Sequence, residues 1–154
     1  MQIEELKKIV QELLDTFKEA GKVALELRKK GLNKELKEDN TPVTNGDLAV
    51  NNILLEKISK LTPNIPIISE ETSKNKNNKN LKDFWLIDPI DGTSEYINNK
   101  DEFTINAALI INKKPAAGII NAPEKKRLFY SYGHSNSFEL VNNKEIKLFD
   151  QKKK

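Results

Sequence analysis

Apolar residues at Ile3, Leu6, Ile9, Val10, Leu13, Leu14, Phe17, Val23 and Leu27 return every three or four positions. That spacing predicts one long amphipathic helix from near the start to about Lys30, with Gly31 as its stop. Gly21 falls inside the pattern and is expected to loosen the helix midway. Leu32 to Asn40 reads as a polar connector. A second helix is predicted from Thr44 to about Leu61, with Leu48, Leu54, Ile58 and Leu61 on its inner face and Pro63 ending it. Ile65 to Ser69 reads as a short strand, and the Lys/Asn-rich stretch from Ser73 to Lys82 as a mobile low-complexity loop.

From Phe84 onward the pattern changes to strands. Phe84 to Ile87, Thr104 to Ile111, Pro115 to Asn121, Arg127 to Tyr132, Ser137 to Val141 and Glu145 to Leu148 are separated mainly by short Asn-, Lys- and Gly-rich turns. This is the signature of an antiparallel meander. Two N-terminal helices packed on an antiparallel sheet make an α+β fold. No internal repeat or linker interrupts it, and 154 residues suffice for one domain with a real core.

Composition narrows the chemistry. Hydrophobic residues at 37% and charged residues at 32% suit a globular protein, no stretch approaches a membrane span, and Met1 to Leu6 is an acidic helix start without signal-peptide character. A cytoplasmic location is expected. There is no cysteine and a single histidine, so thiolate catalysis, disulfides and multi-histidine metal sites are excluded. Chemistry must run on carboxylates and hydroxyls. A net charge of +3, spread over lysines interleaved with glutamates, gives no argument for nucleic-acid binding. His134 sits in a turn-like stretch and reads as exposed, and the Lys152 to Lys154 tail as a frayed end.

Against that background Trp85-Leu86-Ile87-Asp88-Pro89-Ile90-Asp91-Gly92-Thr93 stands out. An apolar strand ends in two carboxylates three residues apart, and Pro89 and Gly92 are expected to stop the strand so that both acids sit on a tight bend. Like charges held that close repel unless a cation lies between them, and oxygen-only ligands suit Mg²⁺ or Mn²⁺. Gly92-Thr93 could open a helix whose first amides favour a phosphate. Asp-Pro-x-Asp-Gly is also good turn chemistry in its own right. Ser69-Glu70-Glu71 ends the preceding strand and should bring another carboxylate to the same sheet edge. Asp47 follows Thr44 at capping-box spacing, which would make it a helix cap whatever else it does.

Asp39 to Thr44, Ile65 to Glu71, Trp85 to Thr93, Glu95 to Ile97, Glu102 to Asn106 and Gly118 to Pro123 together resemble, in order, the lithium-sensitive Mg²⁺-dependent phosphomonoesterases of the inositol monophosphatase superfamily. The closest branch is the 3'(2'),5'-bisphosphate nucleotidase (CysQ-like) one. The resemblance implies that Glu70, Asp88 and Asp91, with the Ile90 carbonyl, ligate two or three Mg²⁺ ions, Mn²⁺ being possible. It implies that Thr93 and Asp47 orient the attacking water, that Gly92, Thr93 and Ser94 meet the substrate, and that the substrate is a small phosphorylated molecule such as 3'-phosphoadenosine 5'-phosphate. Inositol or another sugar monophosphate is the alternative.

Each role keeps a plainer counterpart. Thr93 could serve only as an N-cap, Glu71 as a neighbouring or surface acid, and Trp85 as core; Asp83, Glu95, Asp101 and Glu102 read as surface acids. Ser94 stands where the nucleotidase branch commonly has lysine, which bears on substrate choice. The family continues into a second domain that supplies a further aspartate and most of the pocket. Residues 1–154 are therefore expected to be the N-terminal, metal-binding domain of the family's layered α/β/α/β/α fold, self-associating or pairing with a complementary C-terminal domain. An inactive fragment serving only as a metal-binding or subunit domain is the non-enzymatic alternative.

Overall fold

The structure is a computed structural model and describes residues 1–71 and 80–148. Its first helix, α1 (Ile3–Lys30), is one continuous element that buries Leu6, Val10, Leu13, Phe17, Ala20 and Ala24. Glu4 and Glu5 in its first turn and Arg28 to Lys30 in its last oppose the helix dipole, and Gly31 ends it with φ of 102°. Gly21 does not loosen the helix. It is the point of closest approach to the sheet, where a Cβ would come within 2.6 Å of the Asn121 side-chain amide.

The segment read as a polar connector contains a small hairpin, β1 (Lys34–Leu36) paired antiparallel with β2 (Pro42–Thr44). Asp39 organises its turn by accepting hydrogen bonds from the Thr41 amide (3.1 Å) and hydroxyl (2.5 Å). Strands of three residues, with only Thr44 buried, leave no periodic signal, so pattern reading passes over them. The second helix, α2 (Asn45–Leu61), starts at the Thr44 N-cap and buries Asp47, Val50, Asn51, Leu54 and Ile58. Leu48 is a correction to the predicted inner face. It lies six positions from Leu54, about 240° around the helix at ~100° per residue, and points to solvent.

The remaining strands form, among the described residues, one seven-stranded sheet in sequence order. They are β3 (Ile67–Ser69), β4 (Phe84–Asp91), β5 (Thr104–Ile111), β6 (Lys114–Ala122), β7 (Arg127–Tyr132), β8 (Ser137–Val141) and β9 (Lys144–Lys147). From β4 to β9 every pairing is antiparallel, as the meander requires. Asn112-Lys113 and Asn142-Asn143 turn two of the hairpins with positive φ at both positions, the geometry that two-residue turns demand. The sheet is not wholly antiparallel, because β3 pairs with β4 in parallel, Ser69 opposite Ile87, and that pairing brings the ends of both strands to one edge as expected.

Pro89 does not stop β4. The strand runs on to Asp91 because the ladder with β5 breaks register between Asp88 and Asp91, which is where a residue without an amide hydrogen can sit. A third helix of five residues, α3 (Thr93–Ile97), follows from Gly92 in the left-handed region. Both long helices pack on one sheet face over Trp85, Ile87, Ile105, Leu109, Ile119 and Tyr130, all buried. Trp85 is core, and its indole N–H donates to Thr62 Oγ1 at 3.0 Å, the partner a buried indole needs. The low-complexity stretch and the lysine tail fall largely outside the described residues.

Candidate active site

Parallel pairing of β3 with β4 carries both strand ends to one sheet edge. With Ser69 opposite Ile87 and the Glu70 amide donating to the Ile87 carbonyl at 3.1 Å, Glu70 comes level with Asp88. Ser69 is fixed from behind by its hydroxyl, which donates to the buried Asn51 amide oxygen of α2 at 2.5 Å. Asp88 is half-buried and Asp91, beyond the register break, is exposed. Asn106 on β5 stands opposite Asp88 and reaches Asp91 Oδ2 at 3.4 Å.

The acids feel one another. Burial first, then the charges of Asp91, Glu70, Glu71 and Asp47, push the Asp88 carboxyl up from its ordinary value to about 6. Glu71 is also raised by burial, opposed by an ion pair with Lys37 Nζ at 3.1 Å. Among the described residues no three acidic side chains are drawn into a preformed metal cage.

Asp47 is the most tightly held member. It is fully buried, and its Oδ2 accepts from the Thr44 amide (2.8 Å) and hydroxyl (2.6 Å), while Thr44 Oγ1 accepts in return from the Gly46 and Asp47 amides. This is a complete capping box. Its other oxygen, Oδ1, takes the Thr93 hydroxyl at 3.1 Å, and the same hydroxyl lies 3.2 Å from the Ile90 carbonyl oxygen. Asp47 is thus both cap and partner of Thr93. Gly92 makes the turn between them possible, since its φ is 88° and a Cβ would meet the Glu102 carbonyl at 2.9 Å.

Of the residues singled out from the sequence, Asp47, Ile90 and Thr93 are in direct contact. Glu70, Asp88 and Asp91 share the adjoining edge, Gly92 supplies the turn, and Ser94 is exposed at the start of α3. Two participants escaped sequence reading. Lys37 comes from the overlooked hairpin, which the Asp39-Asn40-Thr41 turn signal could have revealed. Asn106 carries a side-chain oxygen, Oδ1, that is buried and, among the described residues, has no hydrogen-bond partner. An orphaned carbonyl oxygen beside an all-oxygen acidic edge is a donor set that fits a hard divalent cation.

Residues 5–153 match the Inositol monophosphatase family, and the chain belongs to that family. It is 40% identical over 123 residues to the 3'(2'),5'-bisphosphate nucleotidase CysQ of Haemophilus influenzae, covering 79% of this chain and 46% of that protein. To the CysQ of Aggregatibacter actinomycetemcomitans it is 32% identical over 142 residues, 91% of this chain and 53% of the relative. The chain spans about half the length of the curated relatives it matches. Among solved structures, the extragenic suppressor protein suhB of Bartonella henselae superposes with a TM-score of 0.78 at 21% identity, over 94% of this chain and 55% of that one. CysQ of Bacteroides thetaiotaomicron superposes with 0.66 at 26% identity, over 96% and 53%. An IMPase/NADP phosphatase solved with Mg²⁺ and phosphate has a TM-score of 0.76 at 21% identity, covering 87% of this chain and 51% of that one. The α+β fold is therefore that of the family.

Proposed function

We propose that this chain is the N-terminal, cation-binding half of a cytoplasmic Mg²⁺-dependent phosphomonoesterase of the nucleotidase branch. The carrying observation is the part-buried Thr93–Asp47 contact at 3.1 Å beside the acidic edge of Glu70, Asp88 and Asp91. Glu70, Asp88, Asp91 and the Ile90 carbonyl would hold the metal, with Mn²⁺ able to substitute. When bound, such ions supply polarisation of a phosphoryl oxygen and a more acidic water.

The chain's own residues do the positioning. Asp47 receives three donors, so its orientation is fixed, and Thr93 spends its hydroxyl proton on Asp47 or on the Ile90 carbonyl. The Thr93 lone pairs are then left to accept a hydrogen bond from water and aim it, a role that needs geometry more than acidity. No covalent nucleophile is required. Gly92, Thr93 and Ser94 form the turn nearest an incoming phosphate. The substrate class is a small phosphorylated molecule, 3'-phosphoadenosine 5'-phosphate ahead of inositol 1-phosphate, because the CysQ proteins are the similar curated relatives.

Calorimetric titration with Mg²⁺ tests the metal assignment. Asp88→Asn and Asp91→Asn should each abolish tight binding, since each removes charge from a site of hard oxygen donors. Unchanged affinity in both would return the segment to turn chemistry. A second reading, a metal-binding or subunit domain that needs a complementary segment for turnover, is favoured by the coverage of about half of each relative. Robust Mg²⁺-dependent phosphate release by a stable monomer of these 154 residues would exclude it.

A further inference from the structure

We propose that Tyr96, seated on Gly46, is the positioning residue that sets the Thr93–Asp47 contact; this rests on the reading of that pair as the element that aims water. With five residues, α3 is too short to hold itself by its own hydrogen bonds. It is held by a side chain instead. Tyr96 is completely buried, and its hydroxyl donates to the Ala24 carbonyl of α1 at 2.6 Å. Its ring lies on the backbone of Gly46 in the first turn of α2. A Cβ there would fall inside contact distance of the Tyr96 hydroxyl and within 2.7 and 2.8 Å of two ring carbons.

The joint is closed on its other sides. Phe103 meets the Tyr96 ring at 4.9 Å between centroids, and the Arg28 guanidinium lies 4.9 Å from the Phe103 centroid and 5.4 Å from that of Tyr96. Arg28 also donates to the Lys100 carbonyl at 2.8 Å and the Tyr96 carbonyl at 3.4 Å, and pairs with Glu124. Neither Tyr96 nor Gly46 belongs to the acidic edge. Yet Thr93 lies three residues before Tyr96 on the same short helix, and Asp47 follows Gly46 directly. The seat that fixes one pair therefore fixes the spacing of the other. A hydrogen bond already at 3.1 Å leaves bonding range once the ring is lifted by about half an ångström.

The glycine is what makes room for a tyrosine hydroxyl, which gives the test its form. Crystal structures of the 154-residue chain carrying Gly46→Ala should have Thr93 Oγ1 and Asp47 Oδ1 beyond hydrogen-bond distance. The double variant Gly46→Ala/Tyr96→Phe, which removes the nearest colliding atom but keeps two ring carbons within 2.7 and 2.8 Å of the new Cβ, should bring the two oxygens part of the way back. Should Gly46→Ala fail to fold, Tyr96→Leu, which fills space but lacks ring and hydroxyl, carries the same expectation. In a phosphate-release assay Gly46→Ala should lower kcat on the order of a hundredfold, as misplacement by about 1 Å can do, with KM and Mg²⁺ affinity unchanged. A general structural defect would lower all three and would not be rescued. An intact Thr93–Asp47 contact in Gly46→Ala overturns the proposal alone. Undiminished turnover in Thr93→Ala overturns instead the reading of the pair on which it rests.

Discussion

The two faces of the central sheet are built from the same strands and finished to different degrees. On the face under the helices, Ile105 and Leu109 are completely buried and Trp85 and Ile119 are each 1% exposed. On the opposite face the alternate positions of those strands include Leu86 at 42% and Ile120 at 46% exposure, with Ala108 and Gly118 in register with Leu86 and the half-buried Phe129 of β7 opposite Ile120. There they line an open cavity of about 600 Å³ that reaches Asp88 and Glu70. A period-2 strand shows its partner's character through its side chains. One face has its partner in α1 and α2, whereas the other has apolar residues and no covering element among the described residues. The acidic edge lies where the two faces meet.

The comparison breaks most sharply at Trp85. Replacing it with alanine removes a completely packed indole and leaves the Thr62 hydroxyl only its bond to the Ile58 carbonyl, so unfolding free energy should fall by about 3–5 kcal/mol, a large share of the ~5–15 kcal/mol typical of a domain. Equilibrium urea unfolding measures it. A loss below about 1 kcal/mol would mean that the helix-covered face is not the core.

Next in size is Thr44→Ala, which removes the N-cap of α2 and one of the three donors to the buried Asp47 carboxylate. The expected cost is about 1–2 kcal/mol, toward the upper end for a cap because the oxygen left behind is buried. Thermal unfolding at matched ionic strength reads it out, and a neutral result would mean that the Thr44 amide and the Thr93 hydroxyl suffice to fix Asp47.

Asp88→Asn should act in opposite directions on the two sides of the site. Burial and its acidic neighbours disfavour the Asp88 charge in the folded chain, so without divalent cations the neutral variant should be more stable, by about 1 kcal/mol once solvent screening of this half-exposed group is allowed for. Added Mg²⁺ should stabilise the parent chain and not the variant, because ligand binding to the folded state is what raises its stability. Thermal scans with and without Mg²⁺ separate the two effects. A variant that is less stable in chelator would mean that Asp88 serves the fold rather than a cation.

How much of this was legible depends on period. α1, α2 and the meander announce themselves because each repeats a face over many residues, and the segment from Trp85 to Thr93 announces itself because carboxylates interrupt an apolar run. Pro89 misled, since the register break that accommodates it is a pairing property between strands and leaves no trace within one. Leu48 is apolar but lies off the angular position of the inner face, which Leu54 and Ile58 share with Val50 and with Asp47 and Asn51, polar and completely buried. The parallel direction of the β3–β4 pairing has no local signature, because parallel and antiparallel strands share the same side-chain alternation, yet carboxylates at the ends of both strands sufficed to expect Glu70 at the edge of Asp88. Asn106 closes the Glu102 to Asn106 motif within an ordinary strand pattern, and what marks it as a site residue is a buried oxygen without a hydrogen-bond partner among the described residues.

The smallest effect on stability belongs to the open face and sharpens the comparison furthest. Ile120→Lys replaces a side chain that already meets solvent, and the lysine stem can lie along Phe129 opposite it while its ammonium stays in water. Folding stability should change by no more than about 0.5 kcal/mol, the usual range for a surface site. Association should change much more, because an uncovered apolar patch of a few hundred Å² is the feature that draws copies together, and a charge at its centre opposes burial. Sedimentation velocity across a concentration series should therefore find the parent chain associating and the variant shifted toward monomer, with Trp85-dependent stability intact. If parent and variant sediment alike, the open face is inert, and whatever holds copies together lies elsewhere on the molecule.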